Sequence, residues 1–210
     1  MAIKRALTVQ NIFDKKYDLF DFEDEWFDAF DRPEKTGVWF IWGNSGNGKT
    51  SFVLQLIKCL ADFIDQILLV SREEGTSHTL RKSFENFGMN DVKRKLLIVN
   101  ENMADLTARL KQKKSPRIVI IDSFQYTQMS YRDYINFKSQ FPNKLIIFIS
   151  HADGKSPAGR SAKSVMYDAC LKILVEGYVA YSKGRYIGKT GHYVIWRERA
   201  EKYGIKNNNE

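Results

Sequence analysis

The octapeptide Gly43-Asn44-Ser45-Gly46-Asn47-Gly48-Lys49-Thr50 constrains this chain more than any other stretch. Before it runs the β-prone apolar segment Val38–Trp42. After it, Phe52, Val53, Leu56, Ile57, Leu60 and Ile64 share one face of a helix expected over residues 49–64. A glycine-rich turn between strand and helix lets backbone N–H groups point inward, and the helix start adds the positive end of its dipole. Phosphate fits such a cradle. Lys49 is expected to reach β- and γ-phosphate oxygens and the Thr50 hydroxyl to bind Mg²⁺, with Ser51 completing the nucleotide-contacting set Gly43–Ser51.

Strand and helix signals alternate beyond the loop. Ile67–Val70, Leu96–Val99, Ile118–Ile121 and Leu145–Ile149 are short continuous apolar runs. Between them lie helical patterns: Leu80, Phe84 and Phe87 after a Ser77 cap; Met103, Leu106 and Leu110; Tyr134, Phe137 and Phe141 before Pro142. Unbroken apolar strands separated by amphipathic helices predict a parallel sheet covered on both faces. From Cys170 the pattern changes to closely spaced strands at 170–175, 178–182 and 192–196, expected as antiparallel additions at the sheet edge. Residues 151–163 read as a basic loop, and Lys183–Gly191 as a loop between two edge strands.

In such sheets ligands bind at the carboxyl ends of strands. Asp122, which ends the Ile118–Ile121 run, is therefore a candidate Mg²⁺ acid. Ser71-Arg72-Glu73-Glu74-Gly75 puts two carboxylates at the same rim, where one could orient and deprotonate water. Adjacent residues face opposite ways, and Glu73 ranks ahead of Glu74. His151, at the end of the Leu145–Ile149 strand, is placed to touch a γ-phosphate and report its loss.

The chain of 210 residues, 43% apolar and 28% charged, has the material for one core and excludes a disordered chain. No apolar run approaches the roughly 20 residues of a membrane span. With no apolar signal core at its start, and with Cys59 and Cys170 in apolar segments read as reduced thiols, the chain is expected in the cytoplasm. Charge is uneven. Residues 14–35 hold nine acids and four bases, residues 81–117 ten bases and four acids, and residues 151–210 eleven bases and six acids. Basic later regions suggest a polyanion partner. Phe22, Trp26, Phe27 and Phe30 form an aromatic stripe on a short helix that packs on something.

The combination of GNSGNGKT, the SREEG strand end, IIDSFQ at 120–125 and SHADGKSPAG at 150–159 resembles the RecA-like P-loop ATPase core, especially its RadA and DnaB-type hexameric helicase branch. The segment SKGRYIGKTG at 182–191 is similar to the helicase segment that supplies a lysine and an arginine finger to a neighbouring subunit. The resemblance implies a RecA-like α/β fold with the Leu145–Ile149 strand between the phosphate-loop strand and the Asp122 strand. It implies Glu73 as catalytic glutamate, Gln125 and His151 as γ-phosphate sensors, and Lys183 and Arg185 acting in trans on a neighbour's ATP.

It covers residues 37–197, within an expected core of 37–203; residues 1–36 form an acidic, aromatic entry segment and 204–210 a flexible tail. The separate N-terminal domain of the DnaB type and the zinc finger of RadA proteins have no counterpart in these 210 residues, so the chain reads as a stripped core. The expected function is an oligomeric ATPase, ring or filament, with ATP and Mg²⁺ as cofactors and single-stranded DNA, bound without sequence preference, as partner. The alternative is a loader or regulatory nucleotide switch that works on a protein partner.

Overall fold

The apolar runs Val38–Trp42, Ile67–Val70, Ile118–Ile121 and Leu145–Ile149 line up side by side because each is covered on both faces, whereas Leu96–Val99, at the sheet edge, leaves Leu97 exposed. The computed structural model describes residues 5–73 and 75–207. Glu74 and the end of the expected 204–210 tail lie outside the described residues. The strands are β1 (Gly37–Gly43), β2 (Ile67–Ser71), β3 (Leu96–Val99), β4 (Ile118–Asp122), β5 (Leu145–Asp153), β6 (Ser156–Pro157), β7 (Leu171–Glu176), β8 (Val179–Ser182) and β9 (His192–Val194). Their order across the sheet is β3-β2-β4-β5-β1-β7-β8-β9, with β6 pairing only β5.

From β3 to β7 every neighbouring pair is parallel, and β8 and β9 are antiparallel additions. β5 lies between β1 and β4, in the order that the resemblance implied.

The helices are α1 (Val9–Phe13), α2 (Asp24–Phe30), α3 (Lys49–Ala61), α4 (His78–Asn86), α5 (Met103–Leu110), α6 (Phe124–Thr127), α7 (Tyr131–Ser139), α8 (Arg160–Asp168) and α9 (Arg197–Asn207). Alternation along β1 splits the core. Trp39 and Ile41 face α2 and α3 with Phe30, Phe52 and Leu56, whereas Phe40 and Trp42 face α5, α7 and α8 with Leu106, Tyr134 and Val165. α3 buries Phe52, Val53, Leu54, Leu56, Ile57, Leu60 and Ala61. At about 1.5–3 kcal/mol for each large apolar side chain, packing rather than helix propensity holds this helix in place.

The aromatic entry segment packs on its own core. Phe20, Phe22 and Phe30 are buried, and Trp26 stacks on Tyr193 with ring centroids 4.4 Å apart. Part of its acidity is spent within the chain: Asp18 pairs with Lys35 and Arg117, and Asp21 with Arg32. On the opposite face of the sheet, α7 and α8 are tied by Asp168, which accepts hydrogen bonds from Tyr134 and Lys138. Burial pushes the Asp168 carboxyl up, but the bonds from Lys138 and Tyr134 outweigh it and hold the group below its ordinary value.

Two expectations need correction. Residues 151–163 are not an open loop: β5 continues to Asp153, turns at Gly154, pairs with β6 and runs into α8. The helix after the phosphate loop ends at Ala61 rather than at residue 64. At the far end, α9 continues past residue 204 to Asn207. Among the described residues no helix is long and apolar enough to cross a membrane.

Candidate active site

The carboxyl ends of β1, β2, β4 and β5 meet at one rim, and the candidate residues gather there. β1 ends at Gly43, and the chain turns through Asn44–Asn47 into α3. Gly48 caps that helix with φ +96°, a conformation that side chains rarely adopt, and a Cβ there would stand 2.9 Å from the Tyr178 ring. Lys49 folds across the loop: its Nζ donates to the carbonyl oxygens of Gly43 at 2.8 Å and Asn44 at 3.1 Å. Burial draws the Lys49 ammonium below its usual value, and the Asp122 and Glu73 carboxylates pull it partly back.

The loop is held from two sides. Asn44 Nδ2 donates to the Gly154 carbonyl at 3.3 Å, anchoring the loop to the β5–β6 hairpin. On the other side, the backbone N–H of Gly177 donates to Asn47 Oδ1 at 2.8 Å and that of Tyr178 to the Asn47 carbonyl at 3.1 Å. These two residues form the turn between β7 and β8.

Asp122 closes β4, in register with Ser71 of β2 and Ile149 of β5. His151 of β5 lies opposite Gly43 of β1. Its Nε2 is 3.4 Å from Glu73 Oε2 and 3.4 Å from Ser123 Oγ. Gln125 binds the same strand end: its Oε1 accepts from the His151 backbone N–H at 3.3 Å, and its Nε2 donates to Ser150 Oγ at 2.8 Å and to the Ala158 carbonyl at 3.1 Å.

Between these groups opens a cleft of about 300 Å³, lined by Ser45, Lys49, Thr50, Glu73, Asp122 and His151 on one side and by Tyr178 and Arg199 on the other. A hollow of about 370 Å³ under α4 is larger and a third, of about 600 Å³, lies at the opposite end of β1, but neither is lined by a residue of the Gly43–Thr50 loop. The small polar cleft is the one that gathers loop residues Ser45, Gly46, Gly48, Lys49 and Thr50 with Glu73, Asp122 and His151.

The donor set suits a nucleotide-bound Mg²⁺. Thr50 and Asp122 offer hard oxygen ligands, which Mg²⁺ prefers. No group of three or more His, Cys, Asp or Glu among the described residues is arranged to hold a metal alone. Thr50 and Asp122 are therefore the residues that would hold a Mg²⁺ brought in with a nucleotide.

Lys183 and Arg185 are elsewhere. Arg185 lines the hollow of about 600 Å³ with Lys138, Asp168 and Tyr186, beside Gly37 where β1 begins. Gly37 and Gly43 are the two ends of the seven-residue strand β1, a span of roughly 20 Å. The backbone N–H groups of Lys183 and Arg185 donate to Lys172 and Cys170 carbonyls, so their segment runs on along β7.

Sequence reasoning missed Tyr178 and Arg199. No motif marks them; the only signal in the sequence is the short gap between the strands expected at 170–175 and 178–182, where Gly177 stands.

No protein-family model matches the chain, and no curated protein matches it. Solved structures share its fold. The flagellar accessory protein FlaH from Methanocaldococcus jannaschii superposes with a TM-score of 0.60 at 14% identity, covering 85% of this chain and 92% of that one. A KaiC-like protein from Pyrococcus horikoshii OT3 gives 0.57 at 20% identity, covering 77% and 90%. The chain has a RecA-like α/β fold, with a mainly parallel sheet and antiparallel strands at its C-terminal edge.

Proposed function

We propose that this chain is a Mg²⁺-dependent ATPase of the RecA-like kind, nearest in mechanism to the RadA and DnaB branch, that assembles as a ring or filament and acts on DNA. The observation that carries the reading is the cleft where Lys49, Thr50, Asp122, Glu73 and His151 converge. Loop N–H groups and Lys49 bind the triphosphate, and Ser51 contacts it from the first turn of α3. Thr50 and Asp122 would hold Mg²⁺, whose chemistry when bound would be to neutralise phosphate charge. Glu73 takes the proton of the attacking water. His151 and Gln125 register the γ-phosphate. Arg185 lines the far hollow, and neither Lys183 nor Arg185 lines the cleft, which supports a role for both on a neighbour's triphosphate.

Lysine-rich turns favour DNA as partner. Lys111, Lys113 and Lys114 are exposed at one end of the 81–117 basic region. Contacts of this kind go to phosphates, so binding is expected to be indifferent to sequence. A second reading, a loader or switch that docks on a protein, is favoured by α1, where Val9 and Phe13 are 69% and 77% exposed.

The test is ATP hydrolysis by the wild-type chain and Lys49→Ala, with and without single-stranded and duplex DNA. We expect hydrolysis that Lys49→Ala abolishes, and DNA affinity falling with salt at a log–log slope of about −0.7 per phosphate neutralised on single strands. Hydrolysis that survives Lys49→Ala would overturn the site; no DNA binding with ATP present would favour the protein partner.

A further inference from the structure

α9 brings a cation to the cleft from its own subunit. Arg199 lines the same cleft as Lys49 and Thr50, yet it lies far along the chain, beyond the edge strands. Its guanidinium carbon stands 4.1 Å from the Trp196 ring centroid and 5.2 Å from that of Tyr178. Its Nη1 donates to the Tyr178 hydroxyl at 2.9 Å. A guanidinium with one face on an indole and one nitrogen bonded to a phenol is fixed in plane and direction.

That arrangement leaves charge unanswered. Arg199 forms no ion pair among the described residues. It has five N–H donors, and Tyr178 takes one. A cation fixed in place without a carboxylate, at the wall of a phosphate cradle, is suited to a phosphate oxygen, whose negative charge would answer its own.

Tyr178 couples this cation to the loop. It sits at φ +62°, a left-handed conformation unusual for a tyrosine, in the turn whose N–H groups grip Asn47. The same backbone geometry lays its ring against Gly48, where no Cβ fits. α9 in turn is seated on this turn, because the Tyr203 ring fills the space where Gly177 would carry a Cβ, 2.4 Å away. The path Arg199–Tyr178–Gly48 is thus continuous contact, with no solvent gap.

We infer that Arg199 is a phosphate-contacting residue supplied in cis, held toward the α- and β-phosphates of a bound nucleotide by Tyr178 as its positioning residue. The inference rests on the proposal that the cleft binds a nucleotide.

Equilibrium binding of Mg–ATP and Mg–ADP to the full chain tests it, using wild type, Arg199→Ala, Arg199→Lys and Tyr178→Phe, with thermal unfolding of each in the absence of nucleotide. Arg199→Ala is expected to lose about ten- to a hundredfold in affinity for both nucleotides, the usual weight of a charge-assisted bond. Arg199→Lys, which keeps the charge, should recover part, and Tyr178→Phe should lose less than Arg199→Ala. Affinity of Arg199→Ala within about twofold of wild type overturns the inference and leaves the nucleotide reading standing. Equal losses in Arg199→Ala and Arg199→Lys, both with lowered unfolding temperatures, also overturn it, because they mark a structural role for α9. Wild type that binds neither nucleotide overturns the inference and the nucleotide reading together.

Discussion

The carboxylate of Glu73 stands 3.4 Å from the imidazole of His151, so the chain leaving β2 and the end of β5 meet across the tip of β4. A carboxylate and an imidazole in contact beside Asp122 and Lys49 make a unit suited to positioning water. Glu73→Gln keeps the shape and removes the base. Turnover should fall by about two to four orders of magnitude while ATP binding persists. Single-turnover hydrolysis beside a binding titration checks this; unchanged turnover would assign the base elsewhere.

Arg185 serves no purpose at its own loop, roughly 20 Å away, so its variant should reveal any neighbour. Arg185→Ala is expected to bind ATP normally and hydrolyse it poorly. Mixed with Glu73→Gln, it should regain activity, because one interface in the mixture joins an intact Glu73 to an intact Arg185. The measurement is hydrolysis rate against mixing ratio, with subunit exchange followed independently. Exchange without recovery would remove the trans-acting role.

Asp168 gives a pH signature in folding rather than catalysis. Its folded carboxyl is held below its ordinary value, so the stability it adds is complete above the unfolded pKa of about 3.9 and is lost as pH falls through the folded value. Asp168→Asn should cost about 1–3 kcal/mol near neutrality by weakening the bonds from Tyr134 and Lys138. The gap from wild type should narrow below about pH 4. Urea unfolding at several pH values measures it, and a gap that ignores pH would show that charge is not the cause.

Both thiols should be slow to react in the folded chain. Burial pushes Cys59 up to about 12 and also raises Cys170. At pH 8 a thiol of the first kind is about one part in ten thousand thiolate, and the thiolate is the reactive form. Labelling with a thiol reagent should therefore be slow until denaturant is added. Rapid labelling of either residue in the native state would contradict this.

What the sequence made legible follows from what each element buries. β2, β4 and β5 announced themselves because both faces are covered, which leaves unbroken runs such as Ile118–Ile121. α8 did not: of RSAKSVMYD only Ala162 and Val165 are buried, too few to show a period, so its start passed for a basic loop. α9, RERAEKYGIKN, is charged nearly all round and shows no apolar stripe. Arg199 was invisible for a related reason. Its role depends on Tyr178, 21 positions away, and on a turn whose geometry no spacing rule encodes. The phosphate loop, by contrast, is a local device whose chemistry is written in consecutive residues.

The amide of Gln125 reaches both Ser150 and Ala158, while the Ala158 N–H donates back to the His151 carbonyl at 2.9 Å. The excursion of chain from Ser150 to Ala158 is thereby stitched into a closed ring, with its tip at Gly154 resting on Asn44 of the phosphate loop. Its one outlet is Ala158, after which Gly159, at φ +90°, turns the chain into α8, so the end of β5, the phosphate loop and the start of α8 share one short circuit of hydrogen bonds.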